Sequence, residues 1–345
     1  MTIRSAVLAA ALALLAAPAL AQQTLVINSF GGAYEATHRK AVIEPFEKAN
    51  NVKVQIVTVY SADALAQLRA QKAAPQFDVL HFSGGQEAVA AREGLLYGIA
   101  AKDLANASEI YPFALAGLER GEGPVMQMAV MGLIYHADKV KPAPTSWKDT
   151  LDPKFKGHLV ITDFANSYGL LSFLMLNRVL GGDLDNIQPG LDAMKGVLKD
   201  ATVIKASPEI QANFAQNDAW LAPYAQDYAF ALRKAGFPAR FVAPVEGVPA
   251  SLITVNVVAG RPDANTALAI KFVEASLRAE AQALWAQELR YSPVNRTAKL
   301  DPEVAADVVY GEDAVKKLVV FDPIKIGEKR QSWVDQWNRL VAASK

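Results

Sequence analysis

The stretch VMQMAVMGLIY at residues 125–135 decides the fold of this chain. An apolar run of this length predicts a buried strand that is long enough to pass from one lobe of a protein to another. A second apolar strand, SLITVNVV at 251–258, follows a proline-rich stretch much later in the chain. Because α/β units flank both runs, they predict a chain that crosses between two lobes more than once.

Short apolar runs alternate with longer amphipathic stretches throughout the rest of the chain. Such alternation predicts an α/β protein with a largely parallel sheet. One of the helical stretches, 33–50, contains Pro45, which interrupts its pattern. The expected strands are 25–27, 52–59, 77–82 and 158–162, and the expected helices are 33–50, 63–72, 86–93, 170–180 and 262–289.

Composition excludes several kinds of partner and site. The chain has 345 residues, of which 52% are hydrophobic, and its 35 basic residues balance its 35 acidic ones. A balanced charge gives no field to hold nucleic acid or an anionic membrane, so no nucleic-acid partner is expected. Cysteine is absent, which excludes disulfides, a thiolate metal site, a catalytic thiol and a lipid anchor on cysteine.

The first residues have the pattern of an export signal. Arg4 supplies a positive charge, residues 5–20 are apolar, and Ala19-Leu20-Ala21 fits the small-x-small cleavage rule. We therefore expect cleavage after Ala21 and a free periplasmic protein that begins at Gln22. The alternative is a buried or membrane-spanning helix, for which the apolar run is short.

Two glycine-containing loops each lie between a predicted strand and a predicted helix. The first contains Phe30, Gly31 and Gly32, and the second contains Ser83 and Gly84. Ligands of open α/β sheets bind at the carboxyl ends of the strands, where glycines let backbone N–H groups approach them. The alternative is that these glycines only make tight turns. Neither loop is a phosphate loop, because the chain has no GxxxxGK[ST] string.

Aromatic and acidic side chains near predicted turns are further candidates. An aromatic face holds a cation or an apolar stem, and a carboxylate pairs with a cationic ligand. The acids are Asp163 and Asp227, for which a helix cap or a surface salt bridge is the alternative role. The aromatic candidates, each of which could instead be ordinary packing, are Tyr34, Tyr60, Tyr168, Trp220, Tyr224, Tyr228 and Tyr291.

Catalytic and metal-binding patterns are missing from the sequence. The histidines are scattered without paired-ligand spacing, and no GxSxG nucleophile elbow occurs. His38 and Arg39 are expected on a solvated helix face. We therefore expect no metal, no cofactor and no enzymatic activity.

Several segments, in consistent order, resemble the extracellular solute-binding proteins of ABC importers, specifically the spermidine/putrescine-type branch. The resemblance extends from Leu25 to the C-terminus. The segments that carry it are 25–34, 77–79, 132–135 with Ser146-Trp147, 155–157 with 161–163, and 291–295.

The resemblance implies a type II periplasmic-binding-protein fold, in which two α/β lobes are joined by hinge strands. It implies a first lobe of residues 22–128 and 255–294 and a second lobe of 129–254 and 295–345. The C-terminal helix, with Trp333 and Trp337 four residues apart, would pack on the second lobe.

The resemblance also implies a ligand site, although two of its expected features are replaced in this chain. Asn166 stands where a second acid is expected, and the hinge segment 247–252 lacks the expected aromatic residue and aspartate. Taken with the loops and aromatic candidates, the expected ligand-binding residues are Phe30, Gly31, Gly32, Tyr34, Ser83, Gly84, Asp163, Asn166, Tyr224, Asp227 and Tyr291.

The function implied is that of a monomeric periplasmic receptor, which captures a polyamine-like or amino-containing metabolite by lobe closure and delivers it to an ABC permease in the inner membrane. One alternative is a receptor for an anionic or zwitterionic metabolite, such as an aminophosphonate, opine or carboxylate, with Arg290 as a nearby cation. A second is a sensor-linked binding protein without transport. Some enzymes share two-lobed folds of this type, but this sequence lacks their cysteine and clustered histidines.

Overall fold

A computed structural model describes residues 22–206, 208–216 and 218–344. The expected signal segment and its cleavage site lie outside the described residues. Within them, no helix is both long enough and apolar enough to cross a membrane.

Ten strands form the sheets in the described part of the chain. They are β1 Thr24–Ser29, β2 Lys53–Thr58, β3 Val79–Ser83, β4 Val125–His136, β5 Val160–Thr162, β6 Thr202–Ile204, β7 Leu221–Ala225, β8 Ala239–Val242, β9 Val248–Val257 and β10 Leu318–Val319.

The helices alternate with these strands along most of the chain. They are α1 Gly32–His38, α2 Glu44–Asn50, α3 Ser61–Ala70, α4 Gln86–Arg92, α5 Pro112–Leu115, α6 Ser167–Val179, α7 Gln188–Val197, α8 Pro208–Ala215, α9 Gln226–Lys234, α10 Asp263–Ser276, α11 Ala279–Leu289, α12 Pro302–Asp307, α13 Glu312–Val315 and α14 Pro323–Ser344.

The long strand β4 changes partners along its length. Residues 125–130 pair antiparallel with β9, whereas 131–136 pair antiparallel with β7 and β8. The strand β9 also pairs antiparallel with β3. The strand order of the sheet is therefore β2-β1-β3-β9-β4-β7. The two apolar runs therefore link two sheet regions, as their length predicts, and the expected α/β fold with crossing strands is confirmed. The expectation of a largely parallel sheet is wrong, because β9 pairs antiparallel with β3 and β4, and β4 pairs antiparallel with β7 and β8.

The first sheet region aligns the ends of two loop-bearing strands. β1 lies between β2 and β3 and is parallel to both, with Ile27 opposite Val79. Because parallel strands end at the same edge of a sheet, the loops after β1 and β3 lie side by side. Asn28 strengthens this contact, since its side-chain Oδ1 accepts a hydrogen bond of 2.6 Å from the backbone N–H of His81.

Separate hydrophobic cores define two lobes, and a third, smaller cluster packs around β3 and α3. Phe272 and Trp285, from α10 and α11, lie in the first core, whereas Trp147 and Trp337 lie in the second. Val309 packs in the first core, so the chain after residue 294 stays with the first lobe before α14 reaches the second. The exact lobe boundaries given above stay a prediction.

The predicted helix at 33–50 is helical along its whole length, although Pro45 lies within it. A π-helical segment, Arg39–Ile43, joins α1 to α2 and places Pro45 in the first turn of α2. Because proline has no N–H to donate, this position costs no hydrogen bond. The predicted helix at 262–289 is divided into α10 and α11.

Gly132 lies where β4 passes to its second set of partners. A Cβ atom there would be 2.5 Å from the carbonyl oxygen of Val242 and 2.5 Å from the ring of Phe241. We expect Gly132→Ala to lower the free energy of unfolding by about 1–3 kcal/mol because backbone must shift. Urea denaturation measures this loss. The control is Gly196→Ala at an exposed position of α7, where nothing lies within 4 Å of the new Cβ. The stability of this variant should equal or exceed that of the wild type. Equal stability of the two variants would contradict this account of the hinge.

Candidate ligand-binding site

The loops after β1 and β3 need glycine for their backbone shape. Gly31 and Gly32 have φ values of 75° and 55°, and Gly84 has a φ of 73°, a region that side chains with a Cβ rarely adopt. The second loop is anchored to α3, because the backbone N–H of Ser83 donates a hydrogen bond of 3.0 Å to Ser61 Oγ. These glycines therefore make tight turns, and the turns lie at the sheet edge where a ligand is expected.

An aromatic cluster begins at the first of these loops. The ring of Tyr34 lies 4.9 Å from Phe30, 4.8 Å from Trp285 and 6.2 Å from Tyr291, measured between ring centres. Tyr34 is 8% exposed, and its hydroxyl group has no hydrogen-bond partner. Burial raises the pKa of this hydroxyl well above its usual value, so Tyr34 presents a neutral donor.

The second lobe supplies the other half of the cluster. The ring centres of Tyr168 and Tyr224 are 5.3 Å apart, and those of Tyr224 and Tyr228 are 4.9 Å apart. Tyr168 lies in the first turn of α6, Tyr224 lies near the end of β7, and Tyr228 lies in α9. A side-chain hydrogen bond joins Tyr168 to Tyr291, so the two halves meet. We call Tyr34, Tyr168, Tyr224, Tyr228 and Tyr291 the tyrosine cluster.

Asp227 places a carboxyl group beside the tyrosine cluster. It lies in the first turn of α9 and accepts hydrogen bonds from its own backbone N–H and that of Tyr228. Its Oδ1 atom is buried and has no hydrogen-bond partner. Burial raises the pKa of Asp227 to about 7. The charge of Asp227 also raises the pKa of Tyr168 and Tyr291, although burial is the larger cause for both.

Gln226, which precedes Asp227 in the chain, anchors the segment that carries Tyr291. Its Nε2 atom donates hydrogen bonds to the carbonyl oxygen of Arg290 and, at 2.9 Å, to Ser292 Oγ. The backbone N–H of Ser292 in turn donates to the carbonyl of Met128 in β4. Tyr291 is thus fixed between two anchored neighbours and is attached to the crossing strand.

The other candidate acid, Asp163, has a structural partner. Its Oδ1 atom accepts a hydrogen bond of 2.8 Å from the backbone N–H of Ala165. Asn166 caps α6, because its Oδ1 atom accepts a hydrogen bond of 2.9 Å from the backbone N–H of Tyr168, and its Nδ2 atom lies 3.4 Å from the hydroxyl of Tyr224. Both residues thus build the turn that presents Tyr168. The helix cap is Asn166 and not Asp163, and the ligand-binding role of Asp163 stays a prediction.

Arg290, the proposed cation for an anionic ligand, is engaged within the protein. Its Nε atom donates a hydrogen bond of 2.9 Å to Asp307, and its guanidinium group lies 3.8 Å from the ring centre of Phe230. Its NH1 group donates to the backbone carbonyls of Ala286 and Gln287. These internal partners count against the alternative in which Arg290 holds an anionic ligand.

Two aromatic candidates lie outside the tyrosine cluster. Trp220 stacks on His158 with ring centres 3.8 Å apart. Tyr60 stacks on Phe30 at 6.0 Å and is 66% exposed, so it extends the cluster toward solvent.

The expectation that His38 would be solvated is wrong. His38 is fully buried, and its ring centre lies 4.8 Å from that of His81. Burial lowers the pKa of both histidines, to about 4 for His81, so both are neutral at neutral pH. No group of three or more His, Cys, Asp or Glu side chains in the described part of the chain could hold a metal ion.

Comparison with known proteins agrees with the fold. A model of the family described as bacterial extracellular solute-binding protein matches residues 41–310. The gamma-aminobutyric acid-binding protein of Pseudomonas aeruginosa is 25% identical over 309 residues, which cover 86% of this chain and 85% of that protein. A putative 2-aminoethylphosphonate-binding periplasmic protein of Salmonella typhi is 24% identical over 223 residues, which cover 59% and 63%.

Solved structures share the two-lobed fold. The spermidine/putrescine ABC transporter substrate-binding protein of Streptococcus pneumoniae superposes with a TM-score of 0.76 at 19% identity, over 93% of this chain and all of that one. The family match covers most of the chain and includes both crossing strands. The chain therefore belongs to the bacterial extracellular solute-binding proteins.

Proposed function

We propose that this protein is a periplasmic receptor for a small metabolite with a primary amino group, and that the tyrosine cluster and Asp227 bind the ammonium ion. The observation that carries the proposal is the buried, unpartnered Oδ1 atom of Asp227 among tyrosine rings from both lobes. A buried carboxylate without a partner is costly, and a cation removes that cost. Aromatic faces add cation–π attraction for an ammonium group and contact area for its carbon chain.

The ligands of related proteins support this choice of chemical group. Gamma-aminobutyric acid, 2-aminoethylphosphonate and spermidine or putrescine are named for three of them. These compounds differ in charge and length, but each carries a primary amine on a short carbon chain. When Asp227 binds the amino group, the other end of the ligand contacts the loops at Gly31 and Gly84. These two loops lie side by side at one edge of the sheet.

The location of the cluster suggests how binding is coupled to closure. Tyr34 belongs to the first core, whereas Tyr168 and Tyr224 belong to the second. A ligand that contacts both groups gains its full binding free energy only when the lobes are together, so it shifts the population toward the closed form. The closed form would then present both lobes to the permease.

The remaining parts of the proposal concern where the protein acts and with what. We propose that residues 1–21 are removed on export and that the mature chain acts as a free periplasmic monomer with a membrane permease and without enzymatic activity. The members of its family are substrate-binding proteins. Polyamine specificity is a narrower hypothesis, because Asn166 caps a helix where a second acid is expected.

Replacing the proposed ammonium partner should remove amine binding. We expect Asp227→Asn to weaken binding of the best amine by about 30- to 100-fold, since a charge-assisted hydrogen bond of about 2–3 kcal/mol is lost. Isothermal titration calorimetry with gamma-aminobutyrate, 2-aminoethylphosphonate and putrescine measures this. The matched control is Asp163→Asn, which retains an oxygen for the turn at Ala165 and should change affinity less than threefold. Equal losses in the two variants would remove Asp227 from its role.

The affinity for amines should depend on pH through the same carboxyl group. Below a pKa of about 7, Asp227 carries a proton that the ammonium ion must displace. We therefore expect the association constant to fall by about tenfold per pH unit below 7 and to be constant between 7 and 9. A calorimetric series from pH 5 to pH 9 in one set of buffers tests this, and a flat profile would contradict it.

The buried carboxyl group should also lower the stability of the ligand-free protein. The pKa of Asp227 is about 7 in the folded protein, whereas the ordinary value for an aspartate, which applies to the unfolded chain, is 3.8. Between these values the folded state binds a proton that the unfolded state releases, so stability falls as the pH rises from 4 to 7. We expect Asp227→Asn to be more stable than the wild type by about 2 kcal/mol at pH 8 and equally stable at pH 4. Thermal unfolding at both values checks this, and a variant that is less stable at pH 8 would contradict it.

A further inference from the structure

A small cavity lies in the core of the second lobe, beneath the C-terminal helix. The centre of a water molecule can occupy about 20 Å³ of it. Most of its walls come from β5, α6, α7, β7 and α14. Every residue that lines it is buried, and none of them belongs to the tyrosine cluster. The cavity is therefore an internal space of one lobe and not part of the site proposed above.

Three of the side chains that line this cavity carry a buried polar atom without a hydrogen-bond partner. These atoms are Oγ1 of Thr162 at the end of β5, Oγ of Ser172 in α6 and Nε1 of Trp337 in α14. None of the three residues is more than 3% exposed. A buried polar atom that stays unpaired costs free energy. The hydroxyl group of Thr150, at the same cavity, is already satisfied, because it donates to the carbonyl oxygen of Trp147 at 2.7 Å.

The packing around the cavity keeps these three polar atoms apart. Phe164 stacks on the indole ring of Trp337, with ring centres 4.2 Å apart and planes inclined by 17°, and this contact fixes the direction of the indole N–H. The backbones of β5 and α6 already touch, since a Cβ atom added to Gly169 would lie 2.4 Å from the carbonyl oxygen of Thr162. The helix that carries Ser172 therefore cannot move closer to β5, and a molecule between the three atoms is needed to pair them.

The size and chemistry of the cavity match one water molecule. A cavity of about 10–15 Å³ holds one water, and a buried water makes about three hydrogen bonds. The indole N–H can only donate, whereas each hydroxyl group can donate and accept. One water can therefore accept hydrogen bonds from Trp337 and from one hydroxyl group, and donate to the other. No charged side chain lines the cavity, so its chemistry does not suit an ion.

We propose that this cavity is a binding site for one structural water molecule, which joins Thr162, Ser172 and Trp337 and so attaches α14 to the second lobe. Its three partners belong to three elements that are far apart in sequence. Thr162 directly precedes the turn at 163–166, which presents Tyr168 to the tyrosine cluster. The water therefore also supports the base of that turn. The proposal is independent of which metabolite the protein binds.

The sign of a stability change tests whether the hydroxyl group of Thr162 has a partner. Thr162→Val keeps the shape of the side chain and removes the hydroxyl group. If water binds there, a hydrogen bond is lost, and we expect the equilibrium constant for unfolding in urea to rise about two- to tenfold. If the hydroxyl group has no partner, the variant is more stable than the wild type, and that result would overturn the proposal. The control is Thr202→Val at an exposed position of β6, beside β5, which should change this constant less than about twofold.

A second variant tests whether one molecule joins the two hydroxyl groups. Ser172→Ala should also raise the equilibrium constant for unfolding about two- to tenfold, although alanine is the better helix former. In the Thr162→Val background, the same substitution should have a smaller effect, because the water has already lost one partner. Groups that share a partner are coupled in this way. Fully additive effects would show that the two hydroxyl groups have separate partners, and would contradict a shared water.

A high-resolution crystal structure of the protein tests the site directly. We expect one peak of electron density within about 3.2 Å of Thr162 Oγ1, Ser172 Oγ and Trp337 Nε1. The same peak should be present in Asp227→Asn, so a failure of the proposed amine site would leave this result unchanged. A structure without the peak, in which the three atoms bond directly to one another or to backbone groups, would overturn the proposal.

Discussion

The antiparallel pairing of β4 with β9 is the interaction on which the rest of the structure depends. Every buried backbone N–H and C=O group needs a partner, and a strand that leaves one sheet must find another at once. β4 does so by exchanging β9 for β7 between Val130 and Met131, and β8 pairs with it from Leu133 onward. Gly132 permits the close approach of Phe241 at this exchange. Because the lobes share these strands, the residues that each lobe supplies to the site are held in a defined position relative to one another. Ser292 hydrogen-bonds to β4 and so fixes the position of Tyr291.

Much of the fold could be predicted because it depends on local pattern, whereas the site depends on which polar atoms remain free. The crossing strands and the two glycine loops followed from apolar runs and their ends. The choice between Asp163 and Asp227 did not, since both acids lie in polar segments that are rich in aromatic residues. The backbone N–H of Ala165 occupies Oδ1 of Asp163, and only three-dimensional structure shows that Oδ1 of Asp227 has no such partner. His38 was misplaced for a related reason: its charged neighbours Arg39 and Lys40 suggest a wet face, but Tyr34 and His81 enclose the ring.

Residues far apart in sequence were inaccessible to pattern analysis altogether. Glu87 occupies a helix among alanines, and Arg330 lies among the charges of α14, so each resembles an ordinary surface residue. Only the structure shows that Oε2 of Glu87 is buried without a hydrogen-bond partner, whereas the guanidinium group of Arg330 donates to the carbonyl oxygen of Ala165 and to Ser167. Likewise, Arg290 looked available beside Tyr291, but Asp307 and Phe230 satisfy it. In both cases the partner, and not the residue type, decides whether a charge can serve a ligand.

Asp227 and Glu87 share one physical condition, since each carboxyl group lies in the first turn of a helix with one oxygen satisfied and the other buried without a partner. Helix N-termini favour the ionised form, whereas burial favours the protonated form, and burial is the larger effect in both residues. The balance leaves each group close to half-protonated near neutral pH, so a cation can ionise it at little cost. A receptor that must release its ligand benefits from this balance, because a fully stabilised carboxylate would have no unmet interaction for the ligand to supply. In the function proposed for Asp227, the stability that this acid withholds from the empty protein becomes part of the binding free energy that favours closure.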